Sequence, residues 1–209
     1  FLAGLRAACD AAGALLIFDE VITGFRIGPG GATVWSAVSP DLWCFGKVIG
    51  GGLPVGAVGG RGDLLASLAP QGPVYQAGTL SGNPLATAAG LAVLGAVSPA
   101  DYDALAARAA RFAAGLHDAI AAAGVPVRVP VSGPLVGLFL DDRDVTDYAS
   151  ARAAVGRGGY PEFFAAMLRR GVALAPGPYE VLFPGLAHGD AELDAVVDAA
   201  GEAAAELDT

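Results

Sequence analysis

Two charged residues in the first quarter of the sequence, Asp19 and Lys47, have a setting in which chemistry is expected. Leu15-Leu16-Ile17-Phe18 is a short apolar run that predicts a buried strand, and it ends in the acidic pair Asp19-Glu20. An acid at the carboxyl end of a strand lies where open α/β sheets bind ligands. Lys47 is the only charged residue between Asp41 and Arg61, inside Phe45-Gly46-Lys47-Val48-Ile49-Gly50-Gly51-Gly52-Leu53-Pro54-Val55-Gly56. A lysine so enclosed loses hydration, which disfavours the ammonium, lowers its pKa and frees the amine to attack a carbonyl. A lysine beside apolar sequence otherwise snorkels its amine to water. The three glycines Gly50, Gly51 and Gly52 favour the enclosed reading, because they clear side chains from beside the amine for a flat cofactor or a second backbone.

A lysine for an aldehyde and a carboxylate for a protonated ring nitrogen are the two protein groups that pyridoxal 5′-phosphate chemistry needs. The carboxylate keeps the ring cationic, and a cationic ring withdraws electrons from the substrate carbon. A phosphate needs donors as well. Tyr75-Gln76-Ala77-Gly78-Thr79-Leu80-Ser81-Gly82 is polar, uncharged and glycine-bearing, directly ahead of a helix start at Asn83-Pro84, where Asn83 suits the cap and Pro84 the first helical position. Backbone N–H groups and hydroxyls in such a stretch suit a phosphate. No Asp, Glu, Lys or Arg occurs from Leu64 to Ala100. Much of that run is therefore expected in the core, at a subunit interface or at the active site.

The run from Leu15 to Arg26, then Pro40-Asp41-Leu42, then Gly46-Lys47-Val48-Ile49-Gly50-Gly51-Gly52-Leu53-Pro54-Val55-Gly56-Ala57, resembles the class III aminotransferases among fold-type I pyridoxal phosphate enzymes. The separation of Asp19 from Lys47 agrees with that family. Gly72 to Ala86 is most similar to the aminomutases within it. The likeness continues at Val145-Thr146-Asp147-Tyr148 and from Phe163 to Val172, so it covers nearly the whole chain.

The resemblance implies an α/β chain: part of the large, mainly parallel-sheet domain (residues 1–97) followed by a smaller α+β carboxy-terminal domain (98–209). It implies pyridoxal 5′-phosphate, passing through its pyridoxamine form, on Lys47, with Asp19 on the ring nitrogen and Val21 against the ring face. Thr79 then reaches the phosphate of a neighbouring subunit, which makes the protein a homodimer with a shared active site. Tyr75 and Glu180 face the substrate, a small amino-aldehyde within which an amino group is moved. Gly177 and Pro178 stand where the family often has serine and glutamine. Together with the unusual Trp43-Cys44-Phe45 they leave room for a different class III ω-aminotransferase that needs a keto-acid acceptor. The chain opens on Phe1 rather than methionine, and family members are about twice its length. It is therefore expected to be a carboxy-terminal half, inactive alone, whose missing part supplies further phosphate, ring-stacking and carboxylate-gripping groups. A truncated chain that cannot hold the cofactor is the third alternative.

A net charge of −9 over 209 residues argues against nucleic acid and anionic membrane as partners. No stretch has the ~20 continuous apolar residues of a membrane helix. Cys9 and Cys44 have no metal or redox spacing and fit a reducing cytosol, so a cytoplasmic location is expected. No metal site is expected: Asp141-Asp142-Arg143-Asp144 lacks a calcium-loop pattern and reads as a solvated turn, and His117 and His188 read as surface or capping residues. The apolar spacing after the Ser98-Pro99 boundary predicts a helix over Asp101–Ala123 and strands at Val127–Val131 and Leu135–Leu140. Beyond these it predicts a loop at Gly156–Gly159, a helix over Pro161–Arg170, strands at Val172–Ala175 and Val181–Phe183, and a last helix over Asp190–Leu207.

Overall fold

The structure, a computed structural model, describes residues 1–207 and divides into two units, Phe1–Tyr102 and Asp103 onward. In the first, α1 (Leu2–Ala12) leads into β1 (Ile17–Asp19), α2 (Gly31–Ser36), β2 (Leu42–Phe45), a 3₁₀ turn at Lys47–Gly50, β3 (Ala57–Gly60), α3 (Gly62–Leu65) and α4 (Pro84–Gly95). β2 is the middle strand. It runs parallel to β1, with Ile17 opposite Leu42 and Asp19 opposite Cys44, and antiparallel to β3, with Phe45 opposite Ala57. Leu16, Phe18 and Val38 are buried together, with Leu2, Cys9 and Trp43 packed on them.

One carboxylate pins the amino-terminal end of the parallel pair. Asp41, nearly buried, accepts hydrogen bonds from the Leu16 backbone N–H (2.8 Å), Arg6 (2.8 Å) and Arg61 (3.0 Å). It therefore joins α1, the residue before β1 and the residue after β3. The Leu16 N–H, then Arg6 and Arg61, hold its carboxyl well below the usual carboxylate range.

α4 starts as its sequence predicts: Asn83 Oδ1 accepts from the N–H groups of Leu85 (2.9 Å) and Ala86 (3.3 Å), and Pro84 opens the helix. Of the places expected for the charge-free run, the core of this unit takes only a part. Only Ala86 and Gly90 of α4 are buried, while Leu80, Leu85 and Leu91 are 59%, 71% and 75% exposed. The helix meets its own unit through small residues on one side, and Leu85 and Leu91 lie away from it.

The second unit holds most of α5 (Pro99–Ala122), then β4 (Val131–Ser132), β5 (Leu135–Val136), α6 (Tyr148–Gly156), α7 (Tyr160–Arg169) and α8 (Asp190–Ala204). Leu105, Phe112, Leu116 and Ile120 recur on one buried face of α5, and Phe112, Leu116 and Ile120 share a core with Phe163 and Met167 of α7. α5 and α8 approach closely at small residues: a Cβ on Gly201 would lie 3.3 Å from the Ala119 methyl.

The strands expected at Val127–Val131 and Leu135–Leu140 shrink to the two-residue ladder of β4 and β5 plus an isolated bridge between Arg128 and Phe139. Pro126 and Pro130 have no N–H to donate, which interrupts the ladder. Val172–Ala175 joins no sheet, and Leu182 makes only a bridge to Val136. Gly156 closes α6, which is capped by Asp147 and Ser150. The acidic turn is less solvated than its composition implies: Asp141 is buried, accepts from the Arg143 N–H (2.8 Å) and pairs with Arg157 (2.9 Å). Among the described residues, no single helix is long and apolar enough to cross a membrane.

Because the Asp41 pKa lies below its unfolded value of about 4, its stabilising effect is complete above that pH and is lost as pH falls towards the folded pKa. Asp41→Asn is expected to lower the melting temperature at neutral pH. It should also flatten the fall in stability between about pH 5 and pH 3, read by thermal melts across that range.

Candidate active site

β1 and β2 run in the same direction, so their carboxyl ends open at one edge. Asp19 closes β1, and Lys47 opens the 3₁₀ turn two residues beyond β2. Between them Gly46 is buried against Val21, where a Cβ would lie 3.3 Å from Val21 Cγ1. Asp19, Val21 and Lys47 thus meet at one strand edge. Asp19 Oδ1 accepts from the Val21 N–H at 3.0 Å, which fixes the carboxylate's orientation while leaving it exposed.

The adjacent Glu20 behaves in the opposite way. At 2% exposure, its carboxylate accepts from Thr23 Oγ1 (2.6 Å) and from the N–H groups of Ala32 (2.9 Å) and Thr33 (3.2 Å). It ties α2 back to the end of β1. Trp43 Nε1 donates to Thr33 Oγ1 at 2.7 Å on the same segment.

The enclosure expected for Lys47 is corrected: its side chain is exposed in this chain. The apolar neighbours do not cover it, since the Phe45 ring lies on Phe25 at 5.9 Å and the Ile49 carbonyl abuts α4 at Gly90. What distinguishes Lys47 is its backbone. Its φ of +49° is left-handed, a conformation costing a non-glycine residue about 1–3 kcal/mol and found where a site over-determines the chain. The glycines after it do admit a second backbone, that of α4: a Cβ on Gly51 would lie 2.5 Å from the Ala89 carbonyl group.

Tyr75 and Thr79 are exposed on the segment leading to α4. On either side of Thr79, Gly78, Leu80 and Ser81 line a depression of about 420 Å³ with Pro54 and Val55. Pro54 and Val55 also line a depression of about 620 Å³ with Lys47 and Val48. The Thr79 segment and Lys47 therefore flank the same stretch of chain. Glu180 belongs to the second unit, exposed at a depression of about 620 Å³ with Pro176, Tyr179 and Phe183, where Tyr179 stacks on Tyr148 at 6.3 Å.

Two residues important to this geometry were not singled out by sequence reasoning. Glu20 was visible in the period of a strand, which sends neighbours Asp19 and Glu20 to opposite faces. Gly90 was visible as a glycine inside an alanine-rich helix, about 1 kcal/mol worse than alanine there and so a sign of close approach.

The sequence matches the family Aminotransferase class-III over residues 1–203. The chain belongs to the class III aminotransferase family. It is 54% identical over 200 residues to a glutamate-1-semialdehyde 2,1-aminomutase of Nitratidesulfovibrio vulgaris (strain DSM 19637 / Miyazaki F), covering 96% of this chain and 47% of that protein. It is 51% identical over 204 residues to the enzyme so named from Roseiflexus castenholzii, covering 97% and 47%. The chain spans about half the length of the curated relatives it matches.

Among solved structures, an ω-transaminase from Sphaerobacter thermophilus superposes with a TM-score of 0.88 at 36% identity, over 97% of this chain and 46% of that one. A glutamate-1-semialdehyde aminomutase from Pseudomonas aeruginosa in complex with PMP gives 0.82 at 25%, over 97% and 47%. These neighbours have the fold-type I architecture, and the family depends on pyridoxal phosphate.

Glu20→Ala would leave Thr23, Ala32 and Thr33 donors without their buried acceptor. A loss of about 1–3 kcal/mol is expected in urea denaturation, with Glu20→Gln losing less.

Proposed function

We propose that this chain is the lysine-bearing half of a glutamate-1-semialdehyde 2,1-aminomutase, an isomerase that makes 5-aminolevulinate for tetrapyrrole synthesis. The observation that carries the reading is 54% identity to a protein of that name over 96% of this chain. In this isomerisation an amine is installed on the aldehyde carbon, whose oxygen leaves as water, and an amine is removed from the neighbouring carbon, where water supplies the new carbonyl oxygen, so the reaction balances with no keto-acid acceptor consumed.

The residues present suit the family's cofactor. An exposed carboxylate oriented by Val21 and an exposed amine on a strained backbone open at the same strand edge. Pyridoxal 5′-phosphate supplies an aldehyde for the amine and an electron-withdrawing ring for the substrate carbon. In this reading Asp19 would accept the ring N–H and keep the ring cationic, and Val21 would lie against the ring face. Lys47 would hold the cofactor through its amine, and when free its Nζ would carry protons between carbons. Tyr75 and Glu180 would contact the substrate.

Thr79 reaches the phosphate of a second copy in this reading, which makes the protein a homodimer. The exposed leucines Leu80, Leu85 and Leu91 beside Thr79 support such an interface. Cysteine usage favours a cytoplasmic location.

A second reading, an ω-aminotransferase, is favoured by the likeness to the Sphaerobacter enzyme and by Gly177 and Pro178 beside Glu180. Incubating the full-length protein with glutamate 1-semialdehyde alone decides between them. 5-Aminolevulinate is expected without any keto acid, and Lys47→Ala should abolish both product and the visible absorbance of the bound cofactor. A strict requirement for a keto-acid acceptor selects the second reading.

A further inference from the structure

We infer that Gly90 of α4 is a positioning residue for Lys47, clamping the strained turn that presents the amine. The inference rests on the reading of Lys47 as the cofactor lysine. A left-handed lysine persists only where its surroundings hold it. The Val55 side chain packs on Gly50, and on the side of α4 what lies against the turn is backbone on backbone. A Cβ on Gly90 would lie 2.0 Å from the Ile49 carbonyl oxygen and 3.0 Å from its carbon. From the opposite side Gly51, at φ +57°, brings its Cα against the Ala89 carbonyl group. One glycine from each element thus fits into the other at successive residues of α4, and the turn between Lys47 and Gly51 has no freedom to relax away from the helix.

α4 is itself fixed. Asn83 caps it, Ala86 and Gly90 are its buried residues, and its start follows the segment that carries Thr79. The helix therefore sets the place of Lys47 and of the Thr79 segment together. A methyl group on Gly90 cannot be absorbed by a rotamer change, because the atom it meets is backbone. Real Cβ contacts stay beyond 3.0 Å, so helix and turn must part by roughly 1 Å. Gly95, at the end of the same helix, has nothing within 4 Å of its Cβ position and provides the matched control.

The test uses the full-length protein, with pyridoxal 5′-phosphate trapped on Lys47 by borohydride and read by peptide mass. Gly90→Ala is expected to slow trapping on the order of 100-fold, the scale of a 1 Å misplacement. It should also move the pH midpoint of the bound cofactor's visible absorbance, while Gly95→Ala matches the wild type in both. Folded Gly90→Ala with the wild-type trapping rate and midpoint overturns the inference. A wild-type protein that traps no cofactor on Lys47 overturns the cofactor-lysine reading and this inference with it. Should Gly90→Ala fail to fold, amide hydrogen exchange of the wild type decides. The Ile49 and Gly51 amides, bonded to Gly46 and Val48, are expected to open together with the amides of Ala89 and Gly90. Opening of the turn at lower free energy than α4 refutes the clamp.

Discussion

Two carboxylates tie down the ends of the parallel strand pair, and the candidate site depends on both. A carboxylate taken out of water must be satisfied by hydrogen bonds or cations. Asp41 meets that demand at one end with the Leu16 N–H, Arg6 and Arg61. Glu20 meets it at the other with Thr23 and the N–H groups of Ala32 and Thr33. Between these fixed points the register of β1 on β2 has no freedom, because sliding by one residue would bury Asp19 and expose Glu20. The exposed position of Asp19 thus follows from the burial of its neighbour. Division of labour between adjacent acids, one structural and one available to a ligand, is what the strand period allows.

The lysine side of the site is held by a different kind of contact. Beside the Val55 side chain packed on Gly50, shape fixes the Lys47 turn, through the approach of α4 to within van der Waals range of the turn's backbone at Gly90 and Gly51. Such contacts carry little hydrophobic free energy, but they are stiff, since backbone atoms cannot rotate out of the way. Stiffness is what a strained φ at Lys47 requires. The same arrangement explains why α4 turns Ala86 and Gly90 inward, with Leu85 and Leu91 left outward.

The placement of Asp19 and Lys47 at neighbouring strand ends was legible in the sequence because it is local. Asp19 and Lys47 each sit at the end of an apolar strand, and their setting is written within a few residues of each. The cap at Asn83 and the core face of α5 were legible for the same reason: a cap needs one side chain and a helix face needs only its period. The burial of Lys47 was misjudged, because apolar residues adjacent in sequence are not adjacent in space. Phe45 goes to Phe25, and Ile49 offers only its carbonyl to α4. The short helix α2 was missed because its cause, the Glu20 carboxylate, lies far back in the chain. The strands after Val127 were overestimated because Val-rich composition outweighed the missing N–H groups of Pro126 and Pro130.

The fold alone does not separate the two reactions considered for this chain. Both an ω-transaminase and an aminomutase superpose on it, the former more closely, whereas the relatives near 50% identity carry the aminomutase name. That pattern is expected where one scaffold holds one cofactor for several substrates. In the proposed reading Asp19, Val21 and Lys47 address the cofactor, and that role is common to both reactions. Discrimination belongs to residues that meet the substrate, and in the proposed reading Glu180 is one of them, close in sequence to Gly177 and Pro178. There the backbone of Gly177 and Pro178 is set by local turn chemistry and by the stacking of Tyr179 on Tyr148. On that reading, a turn built with glycine and proline would change where Glu180 is presented without changing its charge, and so which substrate fits, with the cofactor residues untouched.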